Sequence, residues 1–211
     1  MTAAVASLDV RLKWTLLIAV LGFGHVAMGQ GVRRKHLVMS IGGGIGTINL
    51  YSDRKDIAVE GLGAGAMRAA FGYAISDRWS LGMHYDRVGS AWHNGALDRL
   101  HLTNYLLSVG YRPWVGEHSA VEIDLAFGAM AASLFPVDSR LPYTTTGSAI
   151  SLGVRYQFMY SNTIGVFIGA DHAASGSSVL VVDGGLVNAD GTISRIQWNS
   201  PRVTTGLLVR F

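Results

Sequence analysis

The chain has 211 residues, enough for one domain of ordinary size, of which 49% are hydrophobic and only 15% charged, with a formal net charge of +3. It has no cysteine, which excludes disulfides, zinc–thiolate sites and thiol nucleophiles. The small charge is dispersed, with Val32-Arg33-Arg34-Lys35 as its one basic cluster, and gives no basis for nucleic-acid binding.

Chain order begins with an export signal. Arg11 and Lys13 form a charged n-region, residues 14–26 an apolar core, and Ala27-Met28-Gly29 a small-x-small cleavage site, with Gln30 as the new N-terminus. Residues 1–29 are therefore expected to be a signal peptide and 30–211 a single domain. Cleavage removes Asp9, Arg11 and Lys13 and leaves a net +2. Charged residues in soluble proteins make up roughly 25%, well above the share here. No run of about 18 apolar residues follows the N-terminus, which argues against helical spans. Lipid-facing strands remain, since they alternate and never need such a run.

Sorting residues by parity yields eight strands, because successive side chains of a strand point to opposite faces. In the first, 37–48, Leu37, Met39, Ile41 and Ile45 point outward and Val38, Ser40, Gly42, Gly44 and Gly46 inward. In 62–75, Met67, Ala69, Phe71, Tyr73 and Ile75 oppose Ala66, Arg68, Ala70 and Gly72. In 79–88, Trp79, Leu81, Met83 and Tyr85 oppose Ser80, Gly82, His84 and Asp86. In 101–112, Tyr105, Leu107, Val109 and Tyr111 oppose Asn104, Ser108, Gly110 and Arg112. In 119–132, Val121, Ile123, Leu125 and Phe127 oppose Glu122, Asp124, Ala126 and Gly128. The sixth, 147–160, shifts parity, with Ile150, Leu152, Val154, Tyr156 and Phe158 outward and Ser151, Gly153, Arg155 and Gln157 inward. In 164–172, Ile164, Val166, Ile168 and Ala170 oppose Gly165, Phe167, Gly169 and Asp171. The last, 201–211, sets Val203, Thr205, Leu207, Val209 and Phe211 against Arg202, Thr204, Gly206, Leu208 and Arg210.

Each strand reaches or approaches the ~9–11 residues that cross a bilayer when tilted. Short connections (76–78, 115–118, 161–163) alternate with long ones (49–61, 89–100, 133–146, 173–200), the asymmetry of periplasmic turns and external loops. Tyr73, Trp79, Tyr111, Trp114, Tyr156, Phe158, Tyr160 and Phe211 all fall near the short-turn ends, as a periplasmic aromatic girdle would. Tyr85, Trp92 and Tyr105 supply the opposite one. The pattern predicts an all-β fold: a monomeric, eight-stranded antiparallel up-and-down transmembrane β-barrel.

These features resemble the small eight-stranded outer-membrane barrels of the OmpA-like and OmpX-like families, over about 36–211. The resemblance is one of architecture rather than of a motif. It implies a Gram-negative outer-membrane location, contact with outer-membrane lipid, and recognition by the barrel-assembly machinery, with Phe211 as the terminal aromatic and Leu207 and Val209 on its lipid face.

An eight-stranded barrel has an interior just wide enough for side chains, so inward charges must pair. Arg68, Asp86, Arg112, Glu122, Asp124, Arg155, Asp171, Arg202 and Arg210, with His84 nearby, are expected to form an ion-pair network that plugs the lumen. Arg112, Glu122, Asp124 and Arg155 are its expected centre. His84-x-Asp86 offers two metal ligands without a third, so no metal and no cofactor is expected. Gly42-Gly43-Gly44-Ile45-Gly46 is not a nucleotide loop, since no lysine and no helix pattern follow. Outer-membrane lipid A deacylases share such a barrel and use a His-x-Ser-Asn motif with a downstream Glu. Here His172 matches the histidine, but Ser175 stands one residue too far, Gly176 replaces the Asn, and no Glu follows. Residues 178–183 and 192–198 are strand-like around an Asn188-Ala189-Asp190-Gly191 turn signal, so the last two strands are expected to protrude as a hairpin able to pair with a surface protein. The reading is a non-enzymatic outer-membrane barrel with a structural or surface-interaction role. The alternatives are a small-solute conduit of the OmpW-like kind, a lipid A-modifying barrel enzyme, and an accessory barrel of a secretion system.

Overall fold

The computed structural model describes residues 36–52, 57–90, 97–137, 141–177, 180–182, 185–186 and 196–211. The expected signal segment, the 32–35 basic cluster, Trp92 and the 188–191 turn signal lie outside the described residues. Eight long strands form the fold: β1 (His36–Ser52), β2 (Val59–Ala74), β3 (Trp79–Ser90), β4 (Leu97–Val115), β5 (Ser119–Pro136), β6 (Tyr143–Met159), β7 (Ile164–Ser177) and β10 (Ile196–Arg210). Two-residue strands, β8 (Val181–Val182) and β9 (Gly185–Leu186), lie between the last two. The long strands pair antiparallel in chain order, and β1 pairs with β10, so the sheet closes on itself and all its long edges are hydrogen-bonded.

Serine hydroxyls shape two of the three tight turns. Ser76 Oγ accepts from the amides of Arg78 and Trp79 at 3.3 and 3.1 Å. Ser161 Oγ does the same for Thr163 and Ile164 at 3.3 and 3.0 Å. The last residue is tied into the same rim, where the Phe211 amide donates to the Leu37 carbonyl at 2.9 Å.

Inward parity is even in β1 to β5, odd in β6 and β7, and even again in β10. The parity shift in the sixth strand is therefore real, and it is reversed before the eighth. A bulge acts locally in β2. Leu62 pairs with Ile48 and Val59 with Leu50, so β2 spends one extra residue. Gly61 absorbs it at φ +64, a conformation that favours glycine, and its amide donates to Asn49 Oδ1 at 2.7 Å. Both Val59 and Leu62 thereby face inward. Gly44 answers a different need: a Cβ there would run into the Val203 backbone carbonyl, so β1 and β10 can approach this closely only without a side chain.

The strands are longer than parity sorting suggests, with 12 to 19 residues in the first seven and 15 in β10. Much of 49–61, 89–100, 133–146 and 173–200, expected to be loops, is strand. The physical reason is an inversion along each strand. Toward the short turns the outward residues are apolar and bare: Ile41 is 58% exposed, Leu107 55%, Phe127 58%, Leu152 57% and Leu207 56%. Beyond Ile45, Met67, Tyr85, Tyr105, Phe127, Ile150, Ala170 and Val203 the outward face turns polar or small, with Asn49, Arg87, Thr103, His101, Ser133, Ser148, Gln197 and Asn199. The inward face turns apolar at the same level. Ile48, Leu50, Leu62, Val88, Leu100, Leu102, Met130, Leu134, Ile196 and Trp198 form one buried cluster. One continuous wall thus has bare apolar side chains outside its lower half and a packed apolar core inside its upper half. Bare apolar surface of that extent requires lipid, whereas the upper half has the inside-out order of a water-soluble barrel.

The expected protruding hairpin is corrected in part. β7 and β10 stay paired to Ser177 and Ile196. Further along, Val181 pairs with Thr144 of β6, and Thr144 Oγ1 donates to the Val181 carbonyl at 3.3 Å. The segment thus adds to the top of β6 rather than extending the β7–β10 pair.

Candidate functional site

The lumen of the lower half holds the charged groups, each delivered by the inward parity of its strand. Two clusters sit one above the other. In the upper one, Arg68 of β2 lies opposite Asp86 of β3, and Asp171 of β7 opposite Arg202 of β10. Arg68 grips Asp86 with two nitrogens, Nε to Oδ1 at 2.7 Å and Nη2 to Oδ2 at 2.9 Å. Arg202 reaches across to Asp86 Oδ2 at 2.8 Å and also bonds Asp171, while Arg68 Nη2 lies 3.3 Å from Asp171 Oδ2. Two arginines and two aspartates thus form a closed, electrically balanced ring across the barrel. All four are buried. Such burial is tolerable only because every charge meets opposite charge in hydrogen-bonding geometry.

The lower cluster joins β3, β4, β5 and β6. Arg112 Nε donates to Glu122 Oε2 at 2.9 Å. Arg155 Nη2 stands between Glu122 Oε1 at 3.6 Å and Asp124 Oδ1 at 3.5 Å. His84 closes the group, with Nδ1 3.5 Å from Asp124 Oδ2 and Nε2 3.5 Å from Arg155 Nη2. The structure therefore brings Arg68 and Asp86 together, and separately Arg112, Glu122, Asp124 and Arg155. Arg210 has inward parity but is only half-buried at the short-turn rim, and its Nε has no hydrogen-bond partner among the described residues. His84 and Asp86 face different clusters and different partners, so they do not converge as a ligand pair. Asp171 and Arg202 complete the upper ring as inward residues on parity alone.

Above the rings lies the apolar core. Asn104 of β4 lies opposite Asp86 with no exposure, and neither of its amide atoms has a partner among the described residues. Above it come Leu102, then Leu100 and Leu134. Beside the lower cluster, a void of about 40 Å³ is lined by Arg112, Glu122, Asp124 and Arg155 together with Ser80 and Gln157. A cavity needs only about 10–15 Å³ of such space to hold a water molecule, so this polar pocket has room for water. Sequence reasoning missed the apolar plug. Its signal was the inward Ile48, Leu50, Leu100, Leu134 and Trp198, which lie in segments whose outward residues are polar.

The aromatics Tyr73, Trp79, Trp114, Tyr156, Phe158, Tyr160 and Phe211 are all exposed on the outer wall at the short-turn end, and the Tyr111 ring packs tilted against Trp79 with centroids 4.8 Å apart. Leu207 and Phe211 are bare on that wall, with Val209 half-buried between them. Tyr85 and Tyr105 pack edge to face at 5.5 Å where the apolar belt ends. His172 is exposed on the outer wall, whereas Ser175 is buried with inward parity. The barrel wall separates the two, so they form no nucleophile–base pair.

No family model and no curated protein sequence matches this chain. Among solved structures it is similar to Neisserial surface protein A, with 14% identity over 83% of this chain and 97% of that one and a TM-score of 0.59. It is also similar to the outer membrane protein OprG from Pseudomonas aeruginosa, with 13% identity over 86% and 98% of the two chains and a TM-score of 0.50. Likeness at such low identity speaks to architecture, and with the closed sheet and lipid-facing belt it gives the conclusion: the chain has the fold of the small eight-stranded outer-membrane β-barrels.

Proposed function

We propose that this barrel is a non-conducting, non-enzymatic anchor. It fixes a rigid, water-facing barrel above the outer leaflet, and its role lies at the cell surface. The observation that supports the reading is the stacking of a buried ion-paired cluster and a buried apolar cluster inside the barrel. An ion-paired ring of Arg68, Asp86, Asp171 and Arg202 lies beneath the apolar plug around Trp198, Leu100 and Leu134. A permeating ion would have to break buried salt bridges and then cross a dry core, and both steps are costly. Residues Leu207, Val209 and Phe211 support delivery by the barrel-assembly machinery, since they offer an apolar terminal edge on the lipid side. Single-channel recording in planar bilayers tests the reading. The wild-type chain is expected to show no steady conductance, and defined, reproducible current steps would overturn it in favour of a small-solute conduit.

A further inference from the structure

The outer wall carries one place where lipid-facing and water-facing features meet in a way the anchor role does not use. A groove of about 740 Å³ crosses the apolar belt over the β10–β1–β2–β3–β4 face. Its middle is Ala69, a small outward residue whose neighbours across the sheet are Ile41 and Tyr85. Tyr105 and Phe71 wall it. The gap arises because Ala69 stands in a row otherwise made of large side chains.

At the outer end of this groove sits unspent positive charge. Arg87 is the next outward residue of β3 beyond Tyr85, one repeat of about 7 Å along the strand. It is exposed, lies opposite Thr103 of β4, and makes no ion pair among the described residues. His101 is the next outward residue of β4 beyond Thr103 and lies diagonal to Arg87, in the space that Gly89 leaves free. Arg99 follows on the same face, its guanidinium 4.8 Å over the Phe135 ring, with His101 packed edge-on against the same ring. Asp98, 3.4 Å from Arg99, is the carboxylate of this corner.

We infer that this corner of β3 and β4 holds a phosphate-bearing glycolipid of the outer leaflet, one acyl chain lying in the Ala69 groove and its phosphate against Arg87. The site deepens the anchor reading and rests on it. Three features fit one occupant. The groove is apolar and lies within the lipid belt, which suits an acyl chain. The cation stands at the belt's edge, where a headgroup begins. It lies at the end with the long connections, which is the outer leaflet of an outer-membrane barrel. Arginine also suits phosphate, because its planar fork donates two hydrogen bonds at once.

The test uses the full barrel in detergent micelles, loaded either with bis-phosphorylated lipid A or with the same lipid enzymatically dephosphorylated. Retention is read by native mass spectrometry, and folding of every variant is checked by heat-modifiable gel migration. Wild type is expected to retain the phosphorylated lipid about tenfold better than the dephosphorylated one. Arg87→Gln and Arg87→Glu should bring the two to parity while keeping the fold. Ala69→Phe, which fills the groove from the lipid side, should lower retention of both lipids together. Equal retention of the two lipids by folded wild type, or an unchanged preference in folded Arg87→Glu, would overturn the site and leave the barrel reading standing. A wild-type chain that shows no heat-modifiable form in detergent or lipid would overturn both.

Discussion

The two halves of the lumen obey opposite rules along the same eight strands. In the lower half the wall faces lipid, so polar and charged groups collect inside: Arg68, Asp86, Glu122, Arg155. In the upper half the wall faces water, so apolar groups collect inside: Leu50, Leu100, Leu134, Trp198. β4 shows the change within one element. Leu107 and Val109 point out and Ser108 and Arg112 in; earlier in the same strand, Thr103 and His101 point out and Leu102 and Leu100 in. Parity is unchanged, and only the solvent outside the wall differs. Two kinds of interior, one ion-paired and one hydrophobic, are thus stacked in one cylinder.

Substitutions can separate them. The largest effect is expected in the ionic half. Asp86→Ala leaves the buried Arg68 and Arg202 with Asp171 as their one remaining carboxylate, an unbalanced buried charge, and should cost about 3–5 kcal/mol, read from urea unfolding in lipid vesicles. Removing Arg68 together with Asp86 leaves the Arg202–Asp171 pair intact, so the double variant should be less destabilised than the single one. If it were worse, the ring would not be the unit that carries the stability. Trp198→Ala, with no exposure in the apolar half, should cost about 3–5 kcal/mol by leaving a cavity. Its damage should be local, opening the outward half to protease while the heat-modifiable barrel persists. Uniform unfolding would mean that the halves are not separable.

The smaller effects sharpen the boundary. Leu107→Arg places a charge in the lipid belt and should cost about 2–4 kcal/mol in the same vesicles. Thr103→Arg, four residues along the same outer face and past the belt, should change stability by less than about 0.5 kcal/mol. Equal penalties at both positions would erase the boundary. Asn104→Leu should raise stability by about 1 kcal/mol, because it replaces an amide that meets no described partner with a side chain matching Leu102 and Leu106. A loss of stability there would show that the amide serves the ring beside Asp86.

Much of the lower half was legible in the sequence because lipid imposes one rule on every strand. Trp79, Leu81, Met83 and Tyr85 alternating with Ser80, Gly82, His84 and Asp86 admit one sidedness, and strand count and direction follow from eight such segments. The partners inside were legible only to the extent that cross-strand register fixes them. Arg112 and Glu122 flank a tight turn, so their meeting follows from the hairpin. The contact of Arg202 with Asp86 crosses the lumen, and no local pattern announces it. The upper half was misread for a physical reason. Parity sorting asks the same parity to stay apolar, so the expected strands stopped at Val88, His101 and Pro201, soon after the outward face turns polar. The inversion of both faces together, Ile196 and Trp198 inward against Gln197 and Asn199 outward, was the sign that the strand continues out of the membrane. The bulge at Gly61 hid the same sign in β2 by shifting Val59 out of step.

Because the chain has no cysteine, single cysteines can carry spin labels without background. The decisive measurement labels outward positions on either side of the boundary in lipid bilayers: Leu107→Cys, Leu125→Cys and Leu207→Cys below it, His101→Cys, Ser133→Cys and Asn199→Cys above. Relaxation is then compared with dissolved oxygen and with a water-soluble nickel complex. The lower three labels should respond to oxygen and be shielded from nickel, and the upper three should do the reverse. Nickel reaching Leu107, Leu125 and Leu207 as freely as the upper set would contradict a wall that is wet by lipid below and by water above.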